Sequence, residues 1–207
     1  TSLRGLVNGV LSVEVLAEGV HSGDASGVVA SSVRIARSLL ERLEDASTGV
    51  LKEKSFHTAV PPERVAQARL AAEVLGEQIW RKFPFVPGMR AMHDDPAELV
   101  LNRSWRPMLA VTGAEGLPAQ ANAGNVLRPK TELMLSLRIP PTLDAQAAAQ
   151  RVKQILEADP PYGARVQGPA SRDMLEVLAA SCAATRSKAR SATMTREAVS
   201  DETASRR

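Results

Sequence analysis

Hydrophobic positions first alternate along this chain. Leu11, Val13, Val15 and Ala17 interleave with Ser12, Glu14, Leu16 and Glu18, the period of two of a half-buried strand. After a turn holding His21, Val29, Val33, Ala36, Leu40 and Leu43 recur every three or four residues, with Arg34, Arg37, Glu41 and Glu44 between them. That spacing predicts an amphipathic helix, for which Ser22, Asp24 or Ser26 can serve as cap. Pro61-Pro62 opens a second helical pattern at Val65, Ala68, Ala72, Leu75 and Ile79, followed by a loop-rich stretch holding Pro84, Pro87, Gly88 and Pro96. Residues 46–107 therefore read as an insertion. A short strand is predicted over 108–112 and turn chemistry over 113–129. Leu133, Leu135, Leu137 and Ile139 then share one face of a clear strand, with Glu132, Met134, Ser136 and Arg138 on the other. Pro140-Pro141 stops it, Thr142 or Asp144 can cap a helix carrying Ala148, Val152, Ile155 and Leu156, and Pro160-Pro161 ends that helix before a last strand over 164–167.

With the insertion set aside, the order is strand, helix, strand, strand, helix, strand. This predicts an α+β domain of the ferredoxin-like, split βαβ kind: a four-stranded antiparallel sheet in a two-layer sandwich with both helices on one face. The other face needs a partner domain, a second copy or water, and Arg138 points there. The domain covers residues 1–168. Residues 169–207 are an atypical tail rich in Ser, Thr, Ala and Arg and free of aromatics. Met174, Leu175, Val177 and Leu178 have the makings of one or two helical turns, and disorder is expected beyond Ala184.

Composition narrows the function classes. At 207 residues and 44% hydrophobic the chain can bury a core of ordinary size. Aromatics are only 3%, all within 56–162, so the core is expected to be Leu, Val, Ile and Ala, and a base-stacking surface for nucleic acid is not expected. Of the net charge of +3, the tail supplies +2, with seven Lys/Arg against five Asp/Glu, which leaves the domain near neutral. Cys182 is the only cysteine, so an intramolecular disulfide and a thiolate metal cluster are both excluded, in keeping with a reducing, cytoplasmic setting. No apolar run approaches the roughly 20 residues a membrane helix needs, and no membrane partner is expected. The opening at Thr1, without Met, leads to the expectation of a piece from a longer polypeptide.

Three residues are placed to do chemistry. His21, between Gly19 and Gly23, can project from a loop tip and donate a hydrogen bond to a developing oxyanion; the alternative is an imidazole bonded to its own turn. Asn125 can give and accept hydrogen bonds to a peptide-like substrate, or can be a turn asparagine. Arg138 can clamp a carboxylate through paired bonds, or can be a solvated strand residue beside Glu132. His57 and His93 read as structural. His93 precedes Asp94-Asp95 in a loop, but no ligands stand at a spacing that supports a metal there.

Gly19-Val20-His21-Ser22-Gly23, Gly124-Asn125-Val126-Leu127-Arg128-Pro129 and Ser136-Leu137-Arg138-Ile139-Pro140-Pro141 occur in this order. Together they resemble the lid, or dimerisation, domain of the dinuclear-zinc peptidase and amidohydrolase family of aminoacylase, carnosine dipeptidase, acetylornithine deacetylase and succinyl-diaminopimelate desuccinylase. The insertion and the Arg-Ile-Pro-Pro segment are most similar to the carnosine dipeptidase branch. One departure is that Leu127-Arg128 makes the stretch before Pro129 one residue longer than in the family. The resemblance implies a zinc-dependent dipeptidase or amidohydrolase in which a metal-bound hydroxide attacks an amide. Two zinc ions would lie in a separate catalytic domain whose ligands this chain lacks, so the chain alone is expected to be inactive. It also implies that His21 reaches the active site of the other subunit of a homodimer, and that Asn125 and Arg138 orient a dipeptide or N-acyl amino acid. Dimerisation through an edge strand and an adjacent helix follows from the open sheet. The competing reading is a non-catalytic, dimeric ferredoxin-like module that binds a regulatory small ligand and has no need of His21.

Overall fold

A computed structural model describes residues 3–169. The chain divides into two units, Thr1–Ser171 and Arg172–Arg207; the helical turns near Met174 and the disorder beyond Ala184 fall outside the described residues. Six strands are present in the described part: β1 Gly5–Glu14, β2 Val20–His21, β3 Met108–Glu115, β4 Val126–Leu127, β5 Lys130–Ile139 and β6 Arg165–Gln167. The α-helices are α1 Ser22–Ala25, α2 Ser32–Leu43, α3 Pro62–Leu75, α4 Gln78–Arg81, α5 Pro96–Ser104 and α6 Ala145–Glu157. The main sheet runs β3-β5-β1-β6 with every neighbouring pair antiparallel, and β2 and β4 form a separate two-stranded ladder. Counting only the main sheet and α2 and α6, the chain order is β1, α2, β3, β5, α6, β6, which is the split βαβ arrangement expected from the sequence.

Helices α2 and α6 cover one face. From the strands, Leu11, Val13, Leu135 and Ile139 point into them, and Ile35, Leu39, Leu43 and Leu156 answer from the helices, all fully buried. Each such side chain contributes about 1.5–3 kcal/mol by leaving water. The core is aliphatic, as the scarcity of aromatics implied. Phe56 and Trp105, both buried, belong to the insertion. Arg42 of α2 donates to the carbonyl oxygens of Ala158 and Asp159 just past the end of α6. That bond satisfies carbonyls the helix leaves open and sets a cation at its negative end.

Several element boundaries differ from the sequence reading. Strand β1 stops at Glu14, because the Val15 and Leu16 amides turn to Pro129 O at 2.8 and 3.4 Å; Ala17 is consequently exposed. Helix α2 starts at Ser32 and is capped by Ser31, whose hydroxyl accepts from the Arg34 amide, while Ser22 and Asp24 lie in α1 and Ser26 ends it. Its buried stripe is Ser32, Ile35, Ala36, Leu39 and Leu43, and Val33 is left exposed. The apolar pattern through Ile79 is broken at Gly76, whose φ of 48° ends α3. Residues expected to be loop hold α5, with Asp95 capping it and Pro96 as its first residue. Strand β3 runs to Glu115 across an irregularity between Val111 and Gly113.

Candidate functional site

His21 ends β2 and caps α1. Its Nδ1 accepts a hydrogen bond from the Gly23 amide at 3.2 Å. An imidazole nitrogen that accepts carries no proton in the neutral ring, so the proton sits on Nε2. The side chain is 63% exposed, with Asp24 Oδ2 3.9 Å from Nδ1. The two flanking glycines matter here for close approach rather than for backbone freedom, since neither has a positive φ. A Cβ on Gly23 would lie 2.8 Å from His21 Cε1, and one on Gly19 would lie 2.8 Å from Val126 Cγ1. The sequence thus leaves space for an imidazole folded against its own turn with one N–H facing solvent.

Asn125 lies beside it. Its carbonyl accepts from the Ser22 amide at 2.9 Å, and His21 pairs with Val126 in the β2–β4 ladder. Its side-chain amide is exposed and makes no hydrogen bond among the described residues. The loop carrying it is tied down from three sides. Arg128 Nε donates to Gly116 O at 3.0 Å, Ser32 Oγ donates to Arg128 O at 3.2 Å, and Ser32 and Thr131 share a buried hydroxyl bond of 2.8 Å. Arg128, which lengthens this stretch relative to the family pattern, is used as a tether. Ser32 and Thr131 were not singled out from the sequence. The available signal was that Thr131 is the one polar side chain in register with Leu133, Leu135, Leu137 and Ile139 on the core face.

Arg138 is elsewhere. It lies near the far end of β5, on the face away from the helices, level with Leu6 of β1 and Met108 of β3. It is exposed and makes no ion pair among the described residues. Glu132, the partner considered for it, is bonded instead to Lys130 at 2.7 Å, which lowers the carboxyl pKa of Glu132 and raises the Lys130 pKa. The His21 end of the sheet is at Lys130, eight residues along β5, which is roughly 27 Å at about 3.4 Å per residue. The structure therefore joins His21 to Asn125 and separates both from Arg138.

The other histidines have local roles: His57 Nε2 lies 2.8 Å from Leu51 O, and His93 Nδ1 accepts from the Asp95 amide. Among the described residues no three His, Cys, Asp or Glu side chains converge. They offer no donor set that fits zinc.

A family model described as a peptidase dimerisation domain matches residues 1–164. A cysteinylglycine-S-conjugate dipeptidase from Corynebacterium striatum is 26% identical over 172 residues, which is 81% of this chain and 35% of that protein. Among solved structures, human carnosine dipeptidase 1 superposes with a TM-score of 0.65 at 18% identity, over 82% of this chain and 36% of that one. The dipeptidase Dug1p of Saccharomyces cerevisiae does so with a TM-score of 0.59 at 20% identity, over 80% and 35%. At these identities the two structures establish a shared fold. The chain spans only 35% of the length of the dipeptidase it matches in sequence.

Proposed function

Because the chain belongs to the peptidase dimerisation domain family, we propose that it dimerises and caps the substrate of a zinc-dependent dipeptidase or related amidohydrolase, and that His21 assists catalysis across the dimer. The catalytic domain, with its two zinc ions, would be a separate part of the parent protein. Among the relatives, the Corynebacterium dipeptidase supports an amide bond as the target.

The observation that carries this reading is the hydrogen bond from the Gly23 amide to His21 Nδ1 at an exposed loop tip. With Nδ1 held by the Gly23 amide, Nε2–H is the free donor at an exposed tip. A donor so fixed can meet the carbonyl oxygen as it gains negative charge during attack on the amide, without reorganising. Asn125, on the adjoining ladder, would contact the peptide group. Arg138 would hold the substrate carboxylate at the other end of the sheet. No dipeptide bridges roughly 27 Å, so one protomer cannot apply both groups to one substrate. A site shared by two copies, with Arg138 from one and His21 from the other, removes that conflict.

In the complete protein, His21→Ala is expected to lower kcat about 10²–10³-fold with KM changed far less, the loss seen when one oxyanion donor is removed. Steady-state kinetics on a dipeptide reads this directly. A KM effect with kcat intact would assign His21 to ground-state binding and reject the oxyanion role.

A further inference from the structure

Two arginines on the open face of the sheet share a place with no carboxylate to balance them. Arg4 directly precedes β1, two residues before Leu6, which sits level with Arg138 on β5. Continued one residue back from β1, the alternation of a strand would put Arg4 on the same side as Arg138, and the Arg138 charge does act on the Arg4 guanidinium. The Arg4 Nη1 donates to Arg106 O at 3.0 Å, two residues before Met108 at the start of β3. Its side chain therefore spans from β1 toward β3, beside the end of β5 where Arg138 stands. Arg4 is half-buried, and burial first, then the Arg138 charge, holds its guanidinium below the ordinary pKa.

The third arginine nearby is different. Arg106 has its own carboxylate, Glu98, at 2.6 Å, and also donates to Asn102. Neither Arg4 nor Arg138 makes an ion pair among the described residues. Two like charges kept close without a counter-ion repel, and the repulsion is relieved when an anion lies between them. Leu6 and Met108, both half-buried, flank Arg138 at the same register, giving the charged groups a partly apolar floor where charge-assisted bonds are stronger. Both guanidiniums match a carboxylate fork. A single aliphatic carboxylate can accept one bond from each arginine and still present its remaining lone pairs to water.

We propose that Arg4 is the second arm of the Arg138 site, so that the two guanidiniums grip one carboxylate between them and select substrates with a free carboxyl terminus. This rests on the reading of the chain as a substrate-capping domain. Arg4 was not a candidate from the sequence because it precedes the first clear alternation. Its anchoring on Arg106 O also means that it arrives already positioned, with less side-chain entropy left to lose on binding.

The test compares a dipeptide with its carboxyl-terminal amide as substrates of the complete protein, for the parent and for Arg4→Gln, Arg4→Lys, Arg138→Gln and the double variant R4Q/R138Q. Arg4→Gln is expected to raise KM for the free acid about tenfold, the order of one charge-assisted hydrogen bond, and to leave the amide's kinetics unchanged. Arg4→Lys, which keeps the charge, is expected to recover part of the loss, and the double variant to lose less than the two singles combined. Equal effects of Arg4→Gln on acid and amide would overturn the proposal. So would no effect of Arg4→Gln while Arg138→Gln abolishes the preference for the acid, an outcome that leaves the capping function standing. If Arg138→Gln also spares that preference, the capping role of this end of the sheet falls as well. Melting curves of each variant separate loss of binding from loss of the Arg4–Arg106 tie, and Arg4→Lys decides the matter if Arg4→Gln fails to fold.

Discussion

At the scale of single residues, the hydroxyl pair of Ser32 and Thr131 holds the candidate site in place. Its buried bond of 2.8 Å joins the first turn of α2 to the start of β5, and the same Ser32 hydroxyl fixes Arg128 O in the loop that carries Asn125. Replacing Ser32 with Ala would leave the Thr131 hydroxyl buried without its partner, at a cost of about 1–3 kcal/mol. Changing both, Ser32→Ala with Thr131→Val, is expected to cost less than Ser32→Ala alone, because the Thr131 hydroxyl is then no longer left buried without its partner; denaturant unfolding of the parent and the two variants measures this. A double variant less stable than Ser32→Ala alone would contradict it. At this scale the sequence offered candidates by residue type and local frame. His21 stood out by its glycine frame, yet the purpose of that frame was legible only in coordinates, since both glycines serve close contacts instead of special backbone angles.

Among elements, β3 is the exposed one. It forms the long open edge of the sheet, carrying neither Pro nor Lys, whereas the opposite edge is the three-residue β6. Val111 is 47% exposed on the side of the sheet that α2 and α6 cover, and Val33 of α2 is 42% exposed. An edge of this kind pairs with another chain unless something protects it. With α2 as the helix nearer this edge, the proposed homodimer would form through β3 and α2. Val111→Lys is expected to give a monomer in sedimentation with an unchanged circular dichroism spectrum, and an intact dimer would place the interface elsewhere. Elements with strong periodicity were legible in the sequence: β5, α6 and the split order of the sheet all follow from alternation, proline stops and the Asp144 cap. Helix α2 was legible in kind but not in its face. Val29, Val33, Ala36, Leu40 and Leu43 and the observed stripe through Ile35 and Leu39 both satisfy helical spacing, and only packing against the sheet selects between them. Helix α5 was missed because Pro96 was read as a breaker, although at the first helical position proline has no amide to lose.

For the whole molecule, the insertion is joined to the sandwich by charge. Arg151 of α6 donates to Glu53 Oε2 at 2.6 and 2.8 Å, and Glu53 also accepts from the Ser55 amide. The Ser55 amide first, and then Arg151, hold the Glu53 carboxyl at a pKa of about 2. A depressed folded-state pKa contributes stability above the unfolded value near 4.5, and that contribution is lost as pH falls toward about 2. The melting temperature is therefore expected to drop between pH 4.5 and 2, and Glu53→Gln to flatten that drop; an equally steep fall in the variant would show that the join contributes nothing. The central claim concerns the dimer: one substrate touched by Arg138 of one copy and His21 of another. Subunit complementation tests it most directly. Complete proteins carrying His21→Ala and Arg138→Gln, each impaired alone, are mixed and allowed to exchange subunits, and dipeptide hydrolysis is followed. The account predicts that activity returns, because each mixed dimer contains one site with both residues intact. Activity that stays at the average of the two variants after demonstrated subunit exchange would contradict it, by showing that both groups act within one chain.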